Sequence, residues 1–165
     1  MLHTARPGLV IGPKGAEIDK LREVLEDLID RKVTLNIVEI KNPDLDAQLV
    51  AESISEQLKR RASFRRTMKQ HCEQTMASGA KGVKIIVSGR LGGAELARTE
   101  TQILGSIPLS TLEANVDYGL AVAVTTYGTI GIKVWIYRGQ YGEELPPPQQ
   151  RPGGRRGGSR GQRKD

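Results

Sequence analysis

Gly12-Pro13-Lys14-Gly15 is the part of this chain whose residue types and spacing best suit an anion. Two glycines strip side chains from a tight turn, so a sugar-phosphate backbone can lie against peptide N–H groups. An amphipathic helical pattern starts directly after Gly15, and a helix N-terminus there adds partial positive charge where a phosphate would sit. Lys14 adds a full charge, while Pro13 lacks an N–H and leaves the loop one backbone donor fewer. A second concentration of charge is Lys59, Arg60, Arg61, Arg65, Arg66 and Lys69. On a helix, Arg65, Arg66 and Lys69 fall about 100° to 200° around from Phe64, flanking its apolar stripe rather than joining it. Three cations on one face with no interleaved acid repel one another and add nothing to folding, so an anionic partner is expected there, the alternative being a merely solvated face.

The glycine loop has the layout of the GXXG loop of a KH domain, a clamp for single-stranded nucleic acid. Its flanks fit. Ile18, Leu21, Val24, Leu25 and Leu28 recur at helical spacing, and Val33–Ile40 alternates as a strand. The competing reading is a surface helix whose glycines serve only its turn. A phosphate-binding enzyme is excluded on chemistry: no Gly-Lys-Ser/Thr follows the loop, and no His, Cys and carboxylate constellation offers a base or nucleophile.

Composition narrows the classes further. The chain has 165 residues, a formal charge of +6, one cysteine (Cys72) and two histidines (His3 and His71). There is no disulfide framework and too little His and Cys for a tetrahedral zinc site. No apolar run is long enough to span a membrane, and a reducing, cytoplasmic setting is expected. Residues 146–165 hold five Arg and one Lys against Asp165, so all but about one of the net positive charges belong to that segment. It contains Pro, Gly, Arg and Gln without core-forming residues and reads as a disordered basic tail.

The elements that must position these groups follow from periodicity. Asn42-Pro43-Asp44 signals a helix start, with Asp44 as the expected cap. Leu45, Leu49, Ile54 and Leu58 mark the buried stripe of one helix; Phe64, Met68, Cys72 and Met76 mark that of a second, which Gly79 ends. Beyond Gly82 the period becomes two, with strands at 83–87, then near 95–104, 109–126 and 129–138. Ile130, Ile132, Val134 and Ile136 face one way, and Lys133, Trp135 and Tyr137 the other, as an ordinary half-exposed sheet face or a surface for RNA. Two helices followed by four strands predict an α+β layer.

Longer motifs carry a resemblance. His3–Gly8, Val10–Arg22, Asn36–Ile40, Leu45–Glu52, Ser63–Arg66 with Met68-Lys69, Gly79–Gly82, Val87–Glu95, Pro108-Leu109 with Thr111-Leu112, Thr125–Gly128 and Lys133–Tyr137 resemble bacterial small-subunit ribosomal protein S-three, collinearly over about residues 2–138. The resemblance implies an α+β protein of three parts. Residues 1–42 would be a type II KH domain, N-terminally incomplete because Met1 stands inside a family strand. Residues 43–140 would be a C-terminal domain of two helices and a four-stranded antiparallel sheet, and 141–165 a disordered Pro/Gly/Arg-rich tail. The chain departs from the family at Pro13, at Thr99–Ser106, which lacks an aromatic pair and a flanking Arg, and at Glu113.

The function implied is that of a structural constituent of the small-subunit head, not an enzyme, with no catalytic or metal residues and no cofactor. RNA contact would fall to Arg6, Gly12, Pro13, Lys14, Gly15, Arg90 and Arg98. Arg65, Arg66 and Lys69 would serve the messenger at the channel entrance and help unwind it. The implied partners are small-subunit ribosomal RNA, messenger RNA and the neighbouring S-ten and S-fourteen ribosomal proteins, with no membrane and no small-molecule substrate. The alternative is a free-standing KH-type RNA-binding regulator.

Overall fold

A computed structural model of the chain describes residues 1–142; the predicted basic tail, from residue 143 on, lies outside the described residues. The chain opens with strand β1 (Leu2–Thr4), helix α1 (Pro7–Ile11), a one-turn 3₁₀ segment (Pro13–Gly15), helix α2 (Ala16–Ile29) and strand β2 (Ile37–Glu39). β1 and β2 pair in parallel, with His3 opposite Val38. The predicted strand over Val33–Ile40 is thus only three residues long. Strand character needs a partner ladder, and β1 offers three residues; one further bond at each end, Leu2 N–H to Asn36 O and Ile40 N–H to Thr4 O, completes the pairing.

α2 has the predicted amphipathic spacing, yet none of its residues is buried. Leu28 is 76% and Val24 56% exposed, while Ile18 and Leu25 are half-buried. The helix ends at Asp30 in the left-handed region (φ 54°), which a short polar side chain tolerates better than most.

The second part begins with a 3₁₀ turn (Pro43–Leu45), then helices α3 (Ala47–Lys59) and α4 (Phe64–Ala77). The predicted cap is displaced. Pro43 starts only the 3₁₀ turn, and the residue that caps α3 is Asp46, whose Oδ1 accepts the Leu49 N–H at 3.0 Å. Asp44 instead accepts from Ser78 Oγ at 3.3 Å, beyond the end of α4. The later start also turns the buried stripe of α3, which runs through Ala47, Val50, Ala51, Ile54, Ser55 and Leu58; Leu49, about 100° from Val50, is left half-buried. On α4, Met68 and Cys72 are buried as expected, with Phe64 and Met76 half-buried against the same core. Thr67, His71 and Thr75 share its buried side, a polar flank that the apolar spacing did not reveal.

Strands β3 (Gly82–Gly89), β4 (Arg98–Gly105), β5 (Ala114–Thr125) and β6 (Gly128–Gln140) form one antiparallel sheet in the order β4-β3-β6-β5. β4 and β5 start later than predicted. Leu96 and Leu112 are 84% and 96% exposed and meet no neighbouring strand, so apolar character alone did not make them sheet residues.

Val83, Ile85 and Val87 of β3 and Ile132, Val134 and Ile136 of β6 are fully buried beneath Ile54 and Cys72. α3 lies over β5 and β6, and α4 over β3 and β4. The approach of α3 to β5 is close: a Cβ on Gly119 would collide with the Ala47 carbonyl, so glycine is required there. Arg138 fastens the same corner, donating to Leu45 O at 2.9 Å and pairing with Asp117 at 2.6 Å.

Candidate nucleic-acid interface

The glycine loop is a helix-to-helix turn, as its residue types predicted. Gly12 ends α1 with φ 68°, its N–H donating to Gly8 O at 3.1 Å; Gly15 precedes α2 with φ 81°. Both lie in the region that glycine occupies without penalty. Their surroundings differ. A Cβ on Gly12 would run into the Glu17 side chain, whereas nothing lies within 4 Å of a Cβ on Gly15. Gly12 is therefore needed to build the turn, and Gly15 leaves open space at the N-terminus of α2. No side chain caps that terminus. The Ala16 N–H is taken by Pro13 O and the Gly15 N–H by Gly12 O, so any backbone donors for an anion come after Ala16, and Glu17 and Asp19 in the first turn offset part of the dipole. Pro13 and Lys14 belong to the 3₁₀ turn between the glycines, and exposed Arg6 stands at the start of α1, its N–H donating to Thr4 Oγ1 at 3.2 Å.

On α4, Arg65, Arg66 and Lys69 are all exposed, on the side away from Met68 and Cys72. The expectation of no interleaved acid is corrected. Glu73 lies one turn on, 3.8 Å from Lys69 Nζ, and β4 brings Glu100 to 3.5 Å from Arg65 and 3.6 Å from Arg98. Exposed pairs of this kind contribute at most about 1 kcal/mol each, so they hold the side chains loosely and leave them able to exchange a carboxylate for a phosphate. Arg65 and Arg98 also flank the Phe64 ring, their guanidinium carbons 5.6 and 5.4 Å from its centroid. Two arginines assigned to different tasks from the sequence therefore share one cluster.

Arg90 is placed differently. Its Nε donates to Ala94 O at 2.8 Å and one terminal nitrogen to Tyr127 O at 3.0 Å, which ties the segment after β3 to the β5–β6 turn. Lys59 and Arg61, members of the basic run but not among the predicted contact residues, join Arg90 around a cleft of about 350 Å³. Their shared location depends on sheet and helix packing, and the run of cations was its only sequence signal. On the open sheet face, Trp135 meets Tyr118 in a tilted pair, 5.2 Å between centroids, and carries Lys84 Nζ at 5.3 Å.

The remaining titratable groups are internal. Burial pushes the Cys72 thiol up to about 11, with a further rise from Glu73, which keeps it protonated and unreactive. Among the described residues no group of three or more His, Cys, Asp or Glu could hold a metal ion, and no helix is long and apolar enough to cross a membrane.

Comparison with known proteins bears on the family of the chain. Residues 54–136 match the family model described as ribosomal protein S3, C-terminal domain, and residues 1–45 match that of the KH domain. Proteins named small ribosomal subunit protein uS3 are similar over most of the chain. The one from Hyphomonas neptunium is 55% identical over 91% of this chain and 61% of its own length. That from Desulforudis audaxviator is 57% identical over 93% and 69%, and that from Brevibacillus brevis 59% identical over 84% and 63%. The chain thus spans about two thirds of the length of the curated relatives it matches. With both family models matched in order along one α+β chain, and with identity above half to full-length relatives, the chain belongs to the ribosomal protein S3 (uS3) family.

Proposed function

We propose that this chain is a structural, non-enzymatic constituent of the small ribosomal subunit that binds small-subunit ribosomal RNA in the cytoplasm. The observation that carries the reading is identity of 55 to 59% to relatives named for that subunit. Within it, residues 1–42 and 43–140 act as the KH and C-terminal units. The open N-terminus of α2 beside Gly15 receives a phosphate, with Arg6, Gly12, Pro13 and Lys14 around it, and Arg98 adds a contact from the second unit. Arg65, Arg66 and Lys69 face messenger RNA at the channel entrance, holding single-strand phosphates and disfavouring reannealing. They do this as charges and forks without reading bases. Neighbouring head proteins of the S-ten and S-fourteen families complete the surroundings.

Sucrose-gradient sedimentation tests the first statement: the chain travels with small subunits, and a chain that stays at the top of the gradient is a free regulator instead. A triple change of Arg65, Arg66 and Lys69 to Ala tests the second. Translation of unstructured messenger stays nearly normal while passage through a stable hairpin slows. Equal slowing on both would assign these cations to assembly through ribosomal RNA.

A further inference from the structure

The turn from α3 to α4 contains a residue that local preference does not explain. Helix α3 ends with Ala62 N–H donating to Gln57 O at 3.1 Å and Arg61 N–H to Leu58 O at 3.0 Å, the paired bonds of a Schellman ending. The position that this ending puts in the left-handed region is ordinarily glycine, but here it is Arg61, with φ 59°. An arginine held in a strained conformation points to a use for its side chain.

Arg61 lines the cleft of about 350 Å³, within the range of small-ligand sites. Leu58 and Ile130, both buried, give the cleft an apolar floor, and Tyr127, half-exposed, gives it an aromatic wall. A Cβ at Gly93 would lie 3.2 Å from Tyr127 Cε2, so a side chain there would press on the ring that glycine leaves in place. Lys59, Arg61 and Arg90 supply positive charge, and no Asp or Glu is among the lining residues. Arg90 is already fixed by its two carbonyl bonds, which use two of a guanidinium's five N–H donors. Its guanidinium carbon lies 5.9 Å from the Tyr127 centroid, so the cation and the ring form one rigid wall.

Each part restricts the ligand. A bare phosphate would leave the apolar floor unused, and an uncharged apolar molecule would leave the cations unused. A planar ring joined to an anion uses both, as single-stranded nucleic acids do on aromatic and basic sites. We propose that this cleft binds one unstacked nucleotide, its base against Tyr127 and the apolar floor and its phosphate toward Lys59 and Arg61. The ligand chemistry is a nucleoside 5′-phosphate, supplied by an unpaired position of an RNA strand or by a free nucleotide. This deepens the RNA-binding reading above and, for the strand, rests on it.

The test is NMR titration of the full chain with adenosine 5′-monophosphate, ribose 5-phosphate, single-stranded oligoadenylate, the same oligomer in a duplex, and an oligoglutamate peptide. Adenosine 5′-monophosphate should shift the amides of Gly92, Gly93, Thr126 and Tyr127, and ribose 5-phosphate should shift them at least about fivefold less at equal concentration. Single-stranded oligoadenylate acting at the same amides more strongly than its duplex assigns the source to RNA; shifts from the mononucleotide alone assign it to free nucleotide. Tyr127→Ala should weaken adenosine 5′-monophosphate binding at least about fivefold. Val124→Trp, at a site 67% exposed on the cleft wall, should do so by occlusion without altering a charge. Arg61→Asn, a residue that tolerates φ > 0, should lower the salt slope of single-strand binding by about 0.7, one phosphate. Equal shifts from ribose 5-phosphate, stronger shifts from oligoglutamate, shifts confined to α4, or unchanged binding in both Tyr127→Ala and Val124→Trp would overturn the proposal. Cleft shifts in a chain that fails to sediment with small subunits keep the pocket and remove the ribosomal reading. Sedimentation without cleft shifts does the reverse.

Discussion

Residues 1–42 and residues 43–142 both carry exposed cations, and they are built by opposite means. In the first region neither helix has a buried residue, and the glycine loop owes its shape to two backbone angles and a few local hydrogen bonds. In the second, α3 and α4 cover a four-stranded sheet whose central side chains are fully buried, and the basic groups are carried on that rigid layer. A clamp for a backbone phosphate can be written in local geometry because it needs only N–H groups in a turn. A surface that gathers cations from α4, β4 and two loops needs a core to fix those elements relative to one another.

The contrast is sharpest in hydrogen exchange. Amides of β3 and β6 should exchange only through global unfolding, whereas those of α1, β2 and the glycine loop open locally. Residues 83–138 should then be protected on the order of a thousandfold more than residues 1–40 in the isolated chain. Equal protection would show that the first region is held by something other than burial.

Substitution reads the same difference in stability. Ile132, fully buried in β6, changed to Ala should cost about 2–5 kcal/mol through lost burial and the cavity left behind. Leu28→Ala, on the apolar stripe of α2 but 76% exposed, should stay within about 0.5 kcal/mol. Both are measured by denaturant unfolding, and similar costs would erase the distinction between the regions.

The smallest effect is pH-dependent and belongs to the second region alone. His71 is buried with its Nε2 3.0 Å from Gln57 Nε2, and burial lowers its pKa below the usual 6.5, against a weaker upward pull from Asp44. The folded state therefore binds fewer protons than the unfolded chain just below pH 6.5. The contribution of neutral His71 is complete above that pH and is lost as pH falls toward the lowered folded value. The unfolding midpoint should drop between about pH 7.5 and about pH 5.5, and His71→Gln should flatten that drop. The same slope in both proteins would mean that His71 is not the group responsible.

Much of this was legible in the chain. The turn at Gly12 and Gly15, the helix after it, the two further helices and the four strands follow from glycine placement and from the switch of period near Gly82. What went astray shares one cause. Val33–Leu35, Leu96 and Leu112 have the composition of strand residues but lie outside the strands, and Asp44 looks like a cap but sits one 3₁₀ turn too early. Pairing and register belong to neighbours that sequence distance hides.

By itself, the sequence determined the family, the α+β class, and the turn at the glycine loop, because each rests on residue identity or on contacts between near neighbours. The tertiary structure alone decided that Glu100 of β4 would stand beside Arg65 of α4, and that Arg98 would lie against the Phe64 ring. It also decided that Arg90 would be bound to Tyr127 and that Lys59 and Arg61 would border the same cleft. Apart from the near neighbours Arg98–Glu100 and Phe64–Arg65, those partners lie 29 to 37 positions apart in the chain, and they meet only because buried side chains of β3 and β6 fix the helices and loops against one sheet.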